Sequence, residues 1–265
     1  MSVIVLGSLW QALGREAWQD TLTTAPAGPH PQVRPFEGTF RFGWSNLLDA
    51  ADAKASLEYK DDKVRVNVQG GTTGLARALW RLDAIHKALF YQKDFQSIDF
   101  WQEEKYKNRT TVTEAVWKED GVWRLRKTTP GGEAKWKRIK VTPLRDIIAA
   151  MLYLRSQPLA NGDKLSITAF PGDSPFLVDV TVLGREEVSL ASGMRKAIKL
   201  DFRLQRIQTK GKTAGQLEPH GKFRRGTVWL SDDDDRFPLR AEVDIFIGFV
   251  FGELVDVTFK DTPAN

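Results

Sequence analysis

The sequence predicts a mainly β (α+β) fold: one large curved antiparallel sheet or half-barrel with two or three helices, one of them packed on the concave face. Three observations predict this class. Apolar and polar residues alternate over much of residues 36–259, turn-forming residues separate the alternating runs, and helical spacing is confined to short segments. The 265 residues include fifteen Phe and nine Trp, which is enough aromatic surface for one sheet-packed core.

The N-terminal segment has two interpretations that the sequence leaves open. Residues 3–13 are apolar but too short to cross a bilayer as a helix. They match the apolar part of a secretory signal, with small residues for cleavage at 12–14, although no Lys or Arg precedes them. The same residues also show the helical spacing of an amphipathic docking helix.

A Pro-rich run at residues 25–31 predicts an extended linker between this segment and the folded part. The predicted organisation is therefore an N-terminal segment with its linker at residues 1–35, followed by a single strand-rich domain at residues 36–265. No internal repeat or low-complexity tract divides the second part further.

The first elements of the domain are three strands with period-two alternation, at residues 36–42, 53–59 and 64–68. The glycine-rich residues 70–74 predict a break in the sheet. Leucines and an isoleucine at helical spacing then predict a first helix over residues 75–90, with a threonine as its N-cap.

A second helix is predicted to begin at Thr142 and Pro143, because threonine is a common N-cap and proline is tolerated in the first turn. Its apolar face spans residues 144–154, and Pro158 ends it. The remaining runs predict strands at residues 95–105, 109–117, 122–127, 134–141, 164–170, 176–183, 196–206, 226–231, 239–247 and 249–259.

Composition excludes several classes of chemistry. The chain has no Cys and only three scattered His, so disulfides, thiol catalysis and Cys- or His-rich metal sites are not expected, and no cofactor is expected either. Common motifs for serine hydrolases, zinc proteases, P-loop enzymes and dinucleotide binding are missing from the sequence. A formal charge of +5 suits anionic partners, but the basic residues are dispersed, so no nucleic-acid partner is expected.

Four short features each have a functional and a structural interpretation. Residues 70–74 could bind an anion or simply form a turn, and Asp232 to Asp235 could bind calcium or form a solvated hairpin turn. The acidic doublets at 103–104 and 186–187 are expected on the surface, since glycosidase carboxylates must face each other across a sugar. His86, placed in the first predicted helix, is interpreted as a packed or exposed residue.

Aromatic and basic residues coincide on three successive predicted strands. Such a surface can stack sugars or other rings and attract negative charge, although tryptophans on strands also commonly point into the core. The candidate ligand-binding residues are Trp117, Trp123, Trp136, Arg124, Arg126 and Arg138.

The order of several motifs resembles one family. The chain reads Phe-Arg-Phe-Gly-Trp-Ser and Ala-Ala-Asp-Ala-Lys-Ala near its start, and a central apolar helix ends in Tyr-Leu-Arg. A closing hairpin follows. These motifs lie at residues 40–45, 50–55, 144–155, 229–240, 247–248 and 253–254. Over residues 36–259 the sequence resembles the exported bacterial domain-of-unknown-function family 3108.

The resemblance implies a location in the periplasm or cell envelope and a curved antiparallel sheet akin to the half-barrels of lipoprotein carriers. It implies no catalytic residues. The expected function is therefore noncatalytic binding of an envelope amphiphile (a lipid or lipoprotein) or of a glycan, with contact to a membrane surface. Two alternatives stay open: an enzyme acting on an anionic polysaccharide, and a scaffolding module. The sequence does not indicate an oligomeric state.

Overall fold

The structure, a computed structural model, describes residues 16–28, 30, 33–45, 47–219, 225–245 and 248–260. The apolar segment at residues 3–13 lies outside the described residues, and so do residues 246–247 at the end of one predicted strand. The described residues form one open sheet of 16 strands with two α-helices. This confirms the mainly β class and the single large sheet.

The elements alternate along the chain in a meander with two helical interruptions. The strands before the second helix are β1 (Phe36–Trp44), β2 (Leu48–Lys60), β3 (Lys63–Thr72), β4 (Leu82–Tyr91), β5 (Ser97–Tyr106), β6 (Arg109–Lys118), β7 (Gly121–Thr129), β8 (Lys137–Ile139) and β9 (Arg145–Asp146). Those after it are β10 (Lys164–Phe170), β11 (Phe176–Leu190), β12 (Gly193–Ile207), β13 (Leu217–Pro219), β14 (Arg225–Ser231), β15 (Pro238–Asp244) and β16 (Phe249–Phe259). The helices are α1 (Gly74–Leu79) and α2 (Ile147–Ser156).

The sheet order is β8-β7-β6-β5-β4-β3-β2-β1-β16-β15-β14-β12-β11-β10-β9, with β13 beside β12. Neighbouring strands are antiparallel except β9, which runs parallel to β10. Because β1 pairs with both β2 and β16, the first and last strands of the meander join the two halves of the chain into one sheet.

The predicted helix over residues 75–90 is wrong for most of its length. The helix α1 ends at Leu79, and Leu82–Tyr91 forms β4, hydrogen bonded to β3 and β5. The segment has helical spacing, but Ala88 and Phe90 are buried and alternate with the less buried Lys87, Leu89 and Tyr91. Pairing with strands on both sides outweighs the local helical pattern. His86 accordingly lies on a strand, and β3 continues through the glycines to Thr72.

The helix α2 begins later than predicted, at Ile147 instead of near Thr142. Its N-cap is Asp146, whose carboxylate accepts hydrogen bonds from the backbone N–H groups of Ile148 (2.9 Å) and Ala149 (3.0 Å). Ser97 donates to the same carboxylate at 2.6 Å, and its hydroxyl accepts from Asp146 N at 2.8 Å. These bonds tie the start of α2 to β5, and the helix also contacts β4, β9 and β10.

The predicted linker is hydrogen bonded to α2. The hydroxyl of Tyr153 donates to the carbonyls of Thr23 (3.1 Å) and Ala25 (2.5 Å). Gly28 lies against the helix end so closely that an added Cβ would overlap the carbonyl oxygen of Ser156. Glycine is therefore required where this segment crosses the C-terminus of α2.

The acidic run forms the turn between β14 and β15, as its turn interpretation predicts. Asp233 accepts hydrogen bonds from Asp235 N and Arg236 N, both at 3.1 Å. Pro238 is the first residue of β15 and pairs with Leu230, a position at a strand start where the missing N–H is tolerated.

One face of the sheet carries the buried side chains. Register places Leu57, Val66, Ala88, Phe100 and Ala115 opposite one another across five strands, and all five are buried. Because side chains alternate along a strand, this row defines a single face, called the core face below.

Candidate functional site

The six residues of the predicted aromatic and basic site lie on two different faces. Trp117 pairs with Val122, whereas Trp123 pairs with Val116, so the two indoles point to opposite sides of the β6–β7 hairpin. Arg124 and Arg126 share the core face with Trp117, since they pair with Ala115 and Thr113. Arg138 pairs with Trp123 on the other face, and Trp136 precedes β8.

Trp117 is half-buried and packs against the core. Its indole N–H donates to the carbonyl of Leu144 at 2.5 Å, and its ring meets the edge of Phe170 with centroids 6.2 Å apart. The core interpretation therefore describes Trp117. Its neighbour Arg124 donates to the carbonyl of Asp173 at 2.8 Å, and partial burial lowers the pKa of its guanidinium.

Trp123 instead belongs to a surface cluster that contains both acidic and basic side chains. Its N–H donates to Asp120 at 2.9 Å, and Asp120 also accepts from Arg138 at 2.9 Å. The cations of Lys118 and Arg138 lie 5.5 and 5.9 Å from the Trp123 ring centroid. These mutual contacts account for the geometry, and a ligand-binding role for the six residues stays a prediction.

A larger apolar surface lies on the core face where β1 ends and β16 begins. Phe42 pairs with Gly252 of β16 on one side and with Ala51 of β2 on the other. Two residues later, on the same face of β1, Trp44 pairs with Val250 and Leu48. This surface is called the apolar mouth, and its large side chains are exposed: Phe42, Trp44, Leu48 and Val250.

Behind the apolar mouth, the core face carries apolar side chains that are only half-buried. Register places them on the same face as the mouth, on both sides of the β1–β16 junction. They form the inner lining, which consists of Phe40, Ala55, Val68, Ala84, Phe202, Leu204, Val228, Ala241, Val243 and Val257. The mouth and the inner lining make one continuous apolar surface that the rest of the described chain leaves partly uncovered.

Two glycines set the positions of aromatic rings on this surface. An added Cβ at Gly252 would lie 2.7 Å from Cε1 of Phe42, and one at Gly226 would overlap the ring of Phe202. Because neither glycine has a side chain, both rings can lie against the neighbouring strand backbone. The rings therefore project less far from the core face than they otherwise would.

His86 is a polar group on the core face near the inner lining. It pairs with Val68 and Gln102, and its ring meets the Phe100 ring edge-on at 6.0 Å. Burial lowers the pKa of His86, and the nearby charge of Glu104 opposes this effect only in part. The imidazole is therefore neutral at pH 7 and can serve as a hydrogen-bond partner within an apolar surface.

The opposite face of β1–β5 bears an open groove of about 760 Å³. Its walls carry charges of both signs, namely Asp52, Lys54, Asp83, Glu103 and Lys105. Mixed charges select neither cations nor anions. Within the part of the chain that the structure describes, no three metal-ligating side chains converge, and neither helix has the length and hydrophobicity to cross a bilayer.

The apolar mouth was missed by reasoning from sequence. The alternation around Phe40 and Phe42 predicts a strand with a buried side, and it does not reveal that the side is uncovered at Phe42 and Trp44. The available signal was the presence of small residues beside these large aromatic ones on the same face: Gly38, Ala51, Ala53 and Ala55. Such a combination on one sheet face leaves space that aromatic rings alone do not fill.

Comparison with known proteins finds one matching family and several solved structures. A family model described as "Protein of unknown function (DUF3108)" matches residues 39–255. The solved beta-barrel-like protein of domain of unknown function DUF1849 from Brucella abortus has a TM-score of 0.54 and 10% sequence identity, covering 87% of this chain and 100% of that chain. The hypothetical lipoprotein YmcC from Escherichia coli has a TM-score of 0.35 and 9% identity, covering 90% of each chain. Among curated proteins, none matches this sequence.

Proposed function

This chain belongs to the DUF3108 family, and we propose that it binds the acyl chain of a cell-envelope amphiphile, without catalysis, along the core face of its half-barrel. The observation that carries the proposal is the continuous apolar surface formed by the mouth and the inner lining. Its side chains are exposed or half-buried, although they lie on the face that elsewhere forms the core.

An acyl chain is the ligand that fits this surface best. Burial of apolar area stabilises a complex by about 25 cal/mol per Å², or about 0.8 kcal/mol per methylene group. A chain lying from Phe42 to Val228 would cover the half-buried side chains in the way that core residues cover one another. The headgroup would remain at the mouth, where Trp44 is the last residue of β1 and is in contact with solvent.

The helix α2 supplies the closed end of the proposed site. Its buried residues Ala149, Leu152 and Tyr153 belong to the same hydrophobic cluster as Leu57 and Phe90 of the core face. We therefore place α2 over the concave side of the sheet, where it fills the end opposite the apolar mouth. This arrangement would give an acyl chain one entrance.

Lipid is favoured over glycan because the mouth presents apolar side chains, whereas sugar binding needs directed hydrogen-bond partners as well as aromatic rings. An enzymatic function has less support from the titratable groups. Asp146 is a buried carboxyl with a pKa raised to about 6 by desolvation, but it caps α2. Location in the periplasm or envelope is part of the proposal and rests on the signal-like residues 3–13 and on the family resemblance.

Titration with cis-parinaric acid tests the proposed site, because this fatty acid fluoresces when it enters an apolar environment. Ala241 lies in the inner lining between Val228 and Gly252, so Ala241→Trp would occupy the site. We expect this variant to bind at least roughly tenfold more weakly than the wild type. The matched control is Ala160→Trp, in an exposed loop. Equal binding by Ala241→Trp, with the fold retained, would contradict the proposal.

Native mass spectrometry of the protein isolated from bacterial envelopes identifies the natural ligand. A co-purified lipid or lipoprotein supports the proposal, and a co-purified oligosaccharide contradicts it.

A further inference from the structure

The helix α1 turns large apolar side chains toward solvent. Leu75, Leu79 and Trp80 are 64%, 72% and 54% exposed, and no residue of α1 is buried. Leu75 and Leu79 are four residues apart, so both lie on one side of the helix. Exposed apolar residues scattered singly are normal on protein surfaces, but three together in one short element indicate a contact surface.

These side chains lie at the same end of the strands as the apolar mouth. Thr73 N donates to the carbonyl of Ala50 at 2.9 Å, which fixes the start of α1 beside β2. On its other side, the Trp80 ring lies 6.0 Å from the ring of Tyr106 at the end of β5. The turn before β2 adds Leu47, which is 78% exposed. The docking ridge is defined as Leu47, Leu75, Leu79, Trp80 and Tyr106.

Basic residues border the docking ridge. Lys107 N donates to the carbonyl of Arg81 at 3.2 Å, so the backbones of these two basic residues are adjacent where the β5–β6 turn meets the segment after α1. The ammonium of Lys107 lies 5.5 Å from the Tyr106 ring centroid, and Arg109, the first residue of β6, pairs with Tyr106. The carboxylate of Asp83 accepts from Arg77 at 2.8 and 3.2 Å and lies 3.8 Å from the guanidinium of Arg81. One carboxylate therefore faces two arginines, and net positive charge remains beside Lys107 and Arg109.

We propose that the docking ridge binds the surface of a bilayer that contains anionic phospholipid. Leucines would enter the interface, Trp80 and Tyr106 would lie at headgroup depth, and Arg81 and Lys107 would face lipid phosphates. Because the ridge and the apolar mouth lie at the same end of the strands, docking would bring the mouth to the membrane. The proposal extends the proposed function, since it identifies the bilayer as the place where an acyl chain is exchanged.

The composition of the ridge favours a lipid surface over a protein partner. Aliphatic side chains at its crest, amphipathic aromatic rings beside them and cations at the border match the order of layers in an anionic bilayer. A second copy of this chain would have to place the same cations against its own, which costs electrostatic energy.

Flotation of the full chain with vesicles tests the proposal. We expect binding to vesicles of phosphatidylglycerol and phosphatidylcholine in equal amounts, weaker binding to phosphatidylcholine alone, and weaker binding in roughly 1 M salt, where charges are screened within about 3 Å. The double variant Leu75→Ser/Leu79→Ser should bind the mixed vesicles at least roughly tenfold more weakly. Its control is Leu183→Ser/Met194→Ser, which removes exposed apolar side chains of β11 and β12 and should bind as the wild type does.

A second pair of variants isolates the charge. Arg81→Gln/Lys107→Gln should abolish the preference for phosphatidylglycerol. Lys60→Gln/Lys63→Gln changes two lysines beside the β2–β3 turn, at the end of these strands that is far from the docking ridge. This variant should keep the preference for phosphatidylglycerol.

Three results would overturn the membrane proposal: a wild-type chain that fails to float, leucine variants that float as well as the wild type, or leucine variants whose only defect is lost self-association in size-exclusion chromatography. Failure of the ligand site is distinguishable from failure of the ridge. Leu75→Ser/Leu79→Ser should bind cis-parinaric acid in solution as the wild type does, and Ala241→Trp should float normally.

Discussion

Phe42 and Gly252 face each other across β1 and β16, and the ring of Phe42 occupies the space where a side chain at position 252 would stand. The glycine thereby sets the height of the aromatic ring at the apolar mouth. The relationship connects two distant parts of the sequence and makes the ring position depend on a residue that contributes no side chain.

Substitution of this glycine should change both stability and ligand binding. In Gly252→Ala the new Cβ would lie 2.7 Å from the Phe42 ring and would displace this ring from its present position in the apolar mouth. We expect a loss of about 1–3 kcal/mol in the free energy of unfolding and weaker binding of cis-parinaric acid. The control is Gly132→Ala, where an added Cβ meets no atom within 4 Å. Equal effects of both substitutions in urea unfolding would argue against this role.

Glu253 should be essential for stability because it is a buried carboxylate held between two arginines. It pairs with Arg240 and with Arg41 (3.2 Å), accepts from Ala191 N at 2.6 Å, and is 1% exposed. Glu253→Gln removes the buried counter-ion of Arg240 and leaves this arginine only the more exposed Glu242 at 2.8 Å. Breaking a buried ion pair typically costs about 3–5 kcal/mol. Glu37→Gln removes an exposed partner of Lys260 and should leave the free energy of unfolding nearly unchanged. Urea titrations of both variants measure the difference.

Asp146 should make stability depend on pH. Desolvation raises its pKa to about 6 in the folded state, above the value near 4 of an unfolded chain. The protonated carboxyl therefore stabilises the fold fully below pH 4, and this contribution is lost as pH rises through 6. Relative to Asp146→Asn, the wild type should lose about 3 kcal/mol of unfolding free energy between these limits. Parallel stability curves for the two proteins would show that the carboxyl does not titrate in this range.

The two tryptophans of the β6–β7 hairpin should respond differently to substitution. Trp117→Phe removes the N–H that donates to Leu144 and should cost about 1 kcal/mol. Trp123→Phe alters a surface cluster and should change stability by less than about 0.5 kcal/mol. Thermal or urea unfolding compares them directly. Titration of Trp123→Ala with acidic oligosaccharides decides the separate ligand-binding prediction, which requires weakened binding.

Much of the sheet could be predicted from sequence because strand alternation is a local property. The run at residues 164–170 coincides with β10, and the run at 249–259 coincides with β16. Residues 75–90 failed because helical spacing and alternation coexist there, and only the neighbouring strands β3 and β5 select between them. The start of α2 was predicted too early for the same reason. Its N-cap, Asp146, is held by a hydrogen bond from Ser97, which is 49 residues away in the sequence.

The sequence by itself determined the class of fold, the positions of most strands, the acidic turn before Pro238 and the absence of cysteine chemistry. Each depends on residue type or on spacing within a few positions. Only the tertiary structure decided that Trp117 and Trp123 face opposite sides, and that Phe42 and Leu79 are left exposed. The physical reason is that exposure depends on what covers each face of the sheet, and the covering elements come from distant parts of the chain.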